Sequence, residues 1–119
     1  MLAGQRRIAQ RIATRCSAIG VTIPLLAPVP LVTDAESAER LARFPGLQLD
    51  RSMVAAVLAA ADPADEGRRR AIGLARSLLH GADGASAFAG VNLSGTGPTD
   101  PIERAELVVE ILSQIDDAT

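Results

Sequence analysis

Apolar residues recur at helical spacing near the start of the chain. Four of them are three or four positions apart, with Gln and Arg residues between them: Ile8, Ile12, Cys16 and Ile19. Gly20 follows as a stop, so the segment predicts an amphipathic helix. The next segment, VTIPLLA at 21–27, is apolar at both odd and even positions. This pattern is typical of a strand buried on both faces in a parallel sheet.

Polar residues at helix starts divide the middle of the chain into three further helices. Thr33 and Glu36 form a capping-box pattern that opens a helix running to about Phe44. Asp50 is placed to cap the next helix. The apolar stripe of that helix comprises Met53, Val54, Val57, Leu58 and Ala61.

The third of these helices begins at Asp62, which precedes Pro63 at the first helical position, and it runs to His80. A second strand is predicted in ASAFAGVNL at 85–93. Asp100, Pro101 and Glu103 then repeat the capping pattern. One side of this last helix carries Ile102, Ala105, Val109 and Leu112.

The predicted order is helix, strand, three helices, strand, helix. Strands separated by helices indicate parallel pairing and a helix-rich α/β fold. We expect residues 1–119 to form a single domain, since this length supports one core. Two strands leave both edges of a sheet open, so we expect self-association or a partner chain to cover them.

Composition excludes several classes of function. Phe44 and Phe88 are the only aromatic residues and the net charge is -2, which argues against nucleic-acid binding. All twelve basic residues are Arg, so no Schiff-base or phosphate-loop lysine exists. The single cysteine, Cys16, suits a reducing compartment and cannot form an internal disulfide. The apolar run at 21–32 is short and interrupted by proline, so we expect a cytoplasmic protein without a membrane span.

The stretch VNLSGTGPTDP at 91–101 is the best candidate for a binding site. Glycines between a strand and a helix let the backbone approach a ligand, and parallel α/β proteins bind ligands where their strands end. The candidate substrate-loop residues are Asn92, Ser94, Gly95, Thr96 and Gly97. The same residues could form a plain turn without a ligand.

Other chemically active residues fit structural roles better. His80 lies at a helix C-terminus, where an imidazolium is favoured by the dipole. Asp62 and Asp100 resemble caps, and Arg68, Arg69 and Arg70 fan over a helix surface where Asp65 or Glu66 can pair with them. His, Cys and carboxylate residues do not cluster at metal-ligand spacing. We therefore assign no catalytic residue and no metal site.

Two long segments resemble the C-terminal part of the methylenetetrahydrofolate reductase family. The first is IPLLAPVPLVTDAESAERLARFPGLQLDRSM at 23–53, where Ile23 with Pro24, Thr33, and Pro45 with Gly46 fall at matching places. The second is EGRRRAIGLARSLLHGADGASAF at 66–88, similar to the family's long penultimate helix and last barrel strand. The resemblance runs from about residue 7 to 115 and corresponds to the last third to half of a family member.

The resemblance implies the C-terminal strands and helices of an eight-stranded β/α (TIM) barrel. It also implies a role in one-carbon metabolism and methionine biosynthesis, namely reduction of methylenetetrahydrofolate to methyltetrahydrofolate with noncovalent FAD and NAD(P)H. The family's catalytic carboxylates and most flavin contacts lie on earlier strands, so the chain is expected to be inactive alone and its cofactor-binding residues are unassigned.

Three positions depart from the family pattern. Many members end the last strand in Leu-Asn-Arg, whose arginine contacts substrate, whereas this chain has no Arg between Arg76 and Arg104. Asp50 stands where proline is common, and Ala27 with Pro28 replaces a Pro-Gly. Two alternatives therefore stay open: a noncatalytic α/β module that associates with itself or a partner chain, and an independent small-ligand binder that uses the glycine-rich loop.

Overall fold

The structure is a computed structural model that describes residues 2–45, 49–80, 88–95 and 100–116. Its elements are α1 (Leu2–Ala18), β1 (Leu26–Pro30), α2 (Ala35–Ala42), α3 (Arg51–Ala59), α4 (Pro63–His80), β2 (Gly90–Ser94) and α5 (Pro101–Asp116). This order confirms the predicted helix-rich α/β fold. Among the described helices, none combines the length and apolar character needed to cross a membrane.

The two strands pair in parallel, as predicted, and α2, α3 and α4 form the connection between them. The register runs from Leu26 opposite Gly90 to Pro30 opposite Ser94. The Leu31 N–H extends the ladder by donating to the Ser94 carbonyl at 2.8 Å. The carboxyl ends of both strands therefore meet at one edge of the sheet.

The predicted bounds of the first strand were wrong. β1 begins at Leu26 rather than 21, because the residues after α1 first complete the helix end: the Val21 N–H donates to the Cys16 carbonyl at 2.9 Å. Burial on both faces was also wrong, since the Leu26 side chain is 64% exposed. The second strand, predicted at 85–93, covers Gly90–Ser94; residues 85–87 lie outside the described residues.

The prolines of β1 face the edge of the sheet away from β2. Odd-numbered residues of β1 direct their backbone groups toward β2, as the Leu31 bond shows, so even-numbered residues direct theirs to the opposite edge. Pro28 and Pro30 occupy that edge and have no N–H to donate. The Pro28 carbonyl accepts a hydrogen bond from the Gln5 side chain at 3.5 Å. Proline is tolerated in this strand because no ladder bond is lost.

The main core lies on one face of the sheet, beneath α4. Its buried residues are Ala27, Val29, Leu31, Ala71, Ile72, Ala75, Leu78, Ile111 and Ile115. The α1 helix packs against α4 on one side, where the Arg6 side chain donates to the Ser77 carbonyl, and α5 packs on α4 from the other. Three of the helices therefore form a layer in the order α1, α4, α5, and α3 also packs against α4.

Ion pairs join α4 to α5. The Arg68 guanidinium contacts the Asp65 carboxylate at 2.5 Å and the Glu110 carboxylate of α5 at 2.7 Å. The hydrogen bond from Arg68 lowers the pKa of Asp65. Arg69 and Arg70 pair with Glu66 at 2.9 Å, which confirms the predicted pairing of the arginine run.

The predicted cap of α2 was wrong by one residue. Asp34, not Thr33, is the N-cap, and its carboxylate accepts from the Ser37 N–H at 2.7 Å. The Ser37 hydroxyl completes the capping box in place of Glu36, and it also accepts from the Thr33 N–H at 2.9 Å. Thr33 and Ser37 are both buried, whereas the capping residue Asp34 is exposed.

The other predicted caps are confirmed. The Asp50 carboxylate accepts from the Ser52 and Met53 N–H groups, and these bonds, with one from the Ser52 hydroxyl, lower the pKa of Asp50. Asp62 accepts from the Asp65 N–H at 3.2 Å, and Asp100 accepts from the Ile102 N–H at 2.8 Å.

Two apolar stripes seen in the sequence point outward. On α1, Ile8 and Ile19 are 61% and 75% exposed. On α5 the stripe of Ile102, Ala105, Val109 and Leu112 is exposed, while Ile111 and Ile115 enter the core. Both outer helices of the layer therefore carry apolar residues that the described part of the chain does not cover.

The helix α4 approaches the chain after β1 most closely at Gly67. A Cβ atom at Gly67 would lie 1.7 Å from the Val32 carbonyl oxygen, far inside van der Waals contact. The next glycine of the same helix, Gly73, has open space around its Cβ position.

We expect Gly67→Ala to lower the free energy of unfolding by about 3 kcal/mol or more, because α4 must shift off the chain after β1. Gly73→Ala is the matched control, and it should raise stability by about 0.5 to 1 kcal/mol, since alanine is the better helix former. Urea denaturation followed by circular dichroism measures both. Similar effects of the two substitutions would show that the close approach of α4 does not hold.

Candidate functional site

A cleft of about 660 Å³ opens where the sheet ends at its carboxyl edge. Its walls come from the end of α2 with the turn that follows, and from the end of β2. The lining residues are Arg40, Leu41, Arg43, Phe44, Pro45, Asn92, Leu93, Ser94 and Gly95. Ligands of parallel α/β proteins bind in this position relative to the strands.

The end of β2 contributes three of the predicted site residues. Asn92, Ser94 and Gly95 all line the cleft, and the first two belong to β2 rather than to the loop after it. The Asn92 side chain is exposed on the face of the sheet opposite the core. Thr96 and Gly97 lie outside the described residues.

The backbone at Gly95 has a conformation that side chains rarely adopt. Its φ is +121°, and a Cβ there would lie 2.8 Å from the Leu31 carbonyl oxygen and 3.4 Å from Leu41 Cδ1. Glycine is therefore required for β2 to end beside β1 and α2. Because glycine has no side chain, it also leaves the cleft open at this position.

The arginines of the cleft were missed by sequence reasoning. Arg40 lies in the last turn of α2, and Arg43 is the C-cap residue of that helix. Among the described residues, the carboxylate that pairs with Arg40 is Glu36, whose Oε1 atom lies 3.8 Å from the guanidinium. The Arg40 Nε atom is buried without a hydrogen-bond partner among the described residues. The i, i+3 spacing was visible in the sequence, but it did not reveal that α2 ends against β2.

The rest of the cleft is mostly apolar. Leu41, Leu93 and Pro45 form its walls, and the Phe44 ring, 66% exposed, stands at its rim. The described lining contains no carboxylate, histidine or cysteine, so its polar contacts suit binding rather than proton transfer. His80 is exposed at the end of α4 and is absent from the lining.

Within the described ranges, His, Cys, Asp and Glu side chains form no group of three or more that could hold a metal ion. Comparison of the chain with models of protein families, with curated proteins and with solved structures finds no match. What the fold itself defines is a helix-rich α/β protein whose small parallel sheet ends in a cleft lined by two arginines.

We expect Gly95→Ala to lower the free energy of unfolding by about 2 kcal/mol or more, because it combines an unfavourable φ with a clash against the Leu31 carbonyl. Gly20→Ala is the control: its φ is +75°, but open space surrounds the Cβ position. That substitution should cost about 1 kcal/mol from backbone strain alone. Equal losses in chemical denaturation would contradict the close contact at Gly95.

Proposed function

We propose that the chain is the C-terminal part of a methylenetetrahydrofolate reductase-like β/α barrel, and that its cleft contributes to folate binding. The observation that carries this proposal is the one-sided, unfinished helix layer. In a β/α barrel, helices cover only the outer face of the sheet, and each helix packs between two neighbours. A segment of such a barrel should leave the opposite face and both ends of its helix layer uncovered.

The α5 end of the layer fits this description. Glu110 lies on the flank of α5 that faces α4, because it pairs with Arg68. Residues on a helix advance by 100° each, so Leu112 lies about 160° from Glu110, on the opposite flank. Leu112 is 47% exposed and Val109 is 66% exposed. A following barrel helix would cover Leu112, whereas Val109 lies about 160° from the core residue Ile111 and faces away from the sheet.

The face of the sheet opposite α4 also fits a segment of a barrel. Leu26, Pro28 and Asn92 are exposed on the face opposite α4, which would be the barrel interior, while Pro30 at the end of β1 is buried there. The radius of gyration is 15.1 Å, compared with about 13.5 Å for a compact domain of this length. Incomplete packing on this scale is what a barrel segment would show in isolation.

The proposal sets one requirement on the missing strands. A strand pairing with the outer edge of β1 would find no backbone donor at Pro28 or Pro30, and one of the carbonyls there already contacts Gln5. That strand would be held through fewer ladder bonds than usual, so packing in the barrel interior would have to supply more of the stability.

The described residues do not fit an enclosed flavin site. A two-stranded sheet provides only one wall of such a site. Of the exposed strand residues on the face opposite α4, Asn92 is the polar one. We therefore assign none of the residues of this chain to FAD or NAD(P)H, which in this proposal bind mainly to polypeptide outside it. FAD would supply hydride transfer when bound there; this chain would contribute folate contacts from Asn92, Ser94 and Gly95.

Titration of the isotope-labelled chain with methyltetrahydrofolate tests the proposal. We expect the backbone amide signals of Asn92, Ser94 and Gly95 to shift in a saturable manner. Asn92→Ala should weaken binding about threefold to tenfold, through loss of one side-chain hydrogen bond. Thr14→Ala, on the exposed surface of α1, is the control. If saturating folate leaves these amides unmoved, the proposed site is wrong.

A second candidate, self-association of a noncatalytic module, is favoured by the charges beside the two outer stripes. On α1, Arg7, Arg11 and Arg15 flank the exposed isoleucines. On α5, Glu103 and Glu106 are exposed next to Ile102 and Val109. These stripes are complementary in charge, so α1 of one copy could pack on α5 of another.

Sedimentation velocity over a range of protein concentrations tests this second candidate. Arg11→Glu and Glu106→Arg should each weaken association, because each places like charges across the interface, and mixing the two variants should restore it. Arg51→Glu, on α3, is the control. A chain that stays monomeric at every concentration would rule out this candidate.

A further inference from the structure

We propose that Arg40 and Arg43 form an oxyanion-binding site at the rim of the cleft, for a carboxylate or phosphate attached to a flat apolar group. The inference deepens the proposed function, and it rests on that function only for the choice of folate as one of its probes. The site itself is argued from the bonding of the arginines, the field at the end of α2 and the apolar walls.

Five of the eight arginines of α1 and α4 have acceptors among the described residues. These are Arg6 on Ser77, Arg68 on Asp65 and Glu110, Arg69 and Arg70 on Glu66, and Arg76 on Gln114. The two arginines of the cleft differ. Arg40 reaches only Glu36, at 3.8 Å, beyond hydrogen-bond distance, and Arg43 has no side-chain acceptor among the described residues.

The missing acceptor matters most at the Nε atom of Arg40, because this atom is buried. A buried donor without a partner is unfavourable, and native structures usually satisfy such groups. Glu36 cannot compete strongly for this guanidinium, because its side chain is 74% exposed and exposed ion pairs contribute little. The Arg40 side chain as a whole is 39% exposed, so an oxyanion in the cleft can reach the guanidinium NH groups, which make no hydrogen bond to the described residues.

The backbone of α2 cannot be what attracts an oxyanion to this site. Arg40 and Arg43 stand at the C-terminal end of α2, where the helix dipole is negative and repels an anion. Binding of an oxyanion there must come from the two guanidinium groups, which are close because residues at i and i+3 share one side of a helix. Substitution of the side chains should therefore remove anion binding rather than weaken it slightly.

The walls define the rest of the ligand. Leu41, Leu93 and the exposed Phe44 ring favour a flat apolar group, which they would partly remove from water. A bare inorganic anion would gain nothing from these walls. The cleft should therefore prefer an aromatic oxyanion to phosphate alone.

Calorimetric and NMR titrations of the full chain distinguish these possibilities. The probes are 4-aminobenzoyl-glutamate, phenyl phosphate, inorganic phosphate and methyltetrahydrofolate. The variants are Arg43→Gln, Arg40→Gln and the double substitution, with Arg51→Gln on α3 as a control that removes the same charge. Denaturation curves of each variant check that the chain is folded.

We expect the aromatic oxyanions to bind more tightly than inorganic phosphate. Arg43→Gln should weaken that binding about tenfold, the double variant should abolish it, and the control should leave it unchanged. The stronger of the two aromatic probes identifies the anion as carboxylate or phosphate. If Arg40→Gln unfolds, the exposed Arg43 alone decides the outcome.

Failure of this inference differs from failure of the proposed function. Folate that binds equally well to the wild type and to the arginine variants would overturn the oxyanion site and leave the folate proposal standing. Aromatic oxyanions that bind through the arginines while methyltetrahydrofolate does not would overturn the folate proposal alone. If none of the four probes binds, both are wrong.

Discussion

The packing of α4 on one face of a two-stranded sheet is the constraint on which the rest of the structure depends. Because α4 crosses the chain after β1 at Gly67, it fixes the separation between the helix layer and the sheet. The layer then extends sideways, with α1 and α5 each leaning on α4. Burial is concentrated along α4, and it declines toward both outer helices, whose apolar residues are therefore left exposed.

The sequence predicted elements well and faces less well, for a physical reason. Caps and stops are local: the side chains of Asp50, Asp62 and Asp100 bond N–H groups two or three residues away, so their positions follow from the chain alone. Which side of a helix is buried depends on its neighbours. The last helix has two apolar sides, and only its packing against α4 selects Ile111 over Val109.

The residues of the candidate site also divide into those that local sequence indicates and those that depend on tertiary packing. Asn92, Ser94 and Gly95 could be proposed from the sequence because the end of a parallel strand is a common ligand position whatever the tertiary details. The arginines of α2 could not, because their role depends on the end of that helix meeting the end of β2. The structure places both arginines across the cleft from the end of β2.

The incomplete packing of the sheet affects how strongly the arginine pair can attract an anion, because it leaves the cleft open to water. A cleft with one sheet wall is open to water, which screens the guanidinium groups and weakens their attraction for an anion. Any polypeptide that covers the exposed face at Leu26 and Asn92 would also exclude water from Arg40 and Arg43. Covering apolar surface and strengthening anion binding would then be one event, so the proposed anion binding should be tightest when that face is covered.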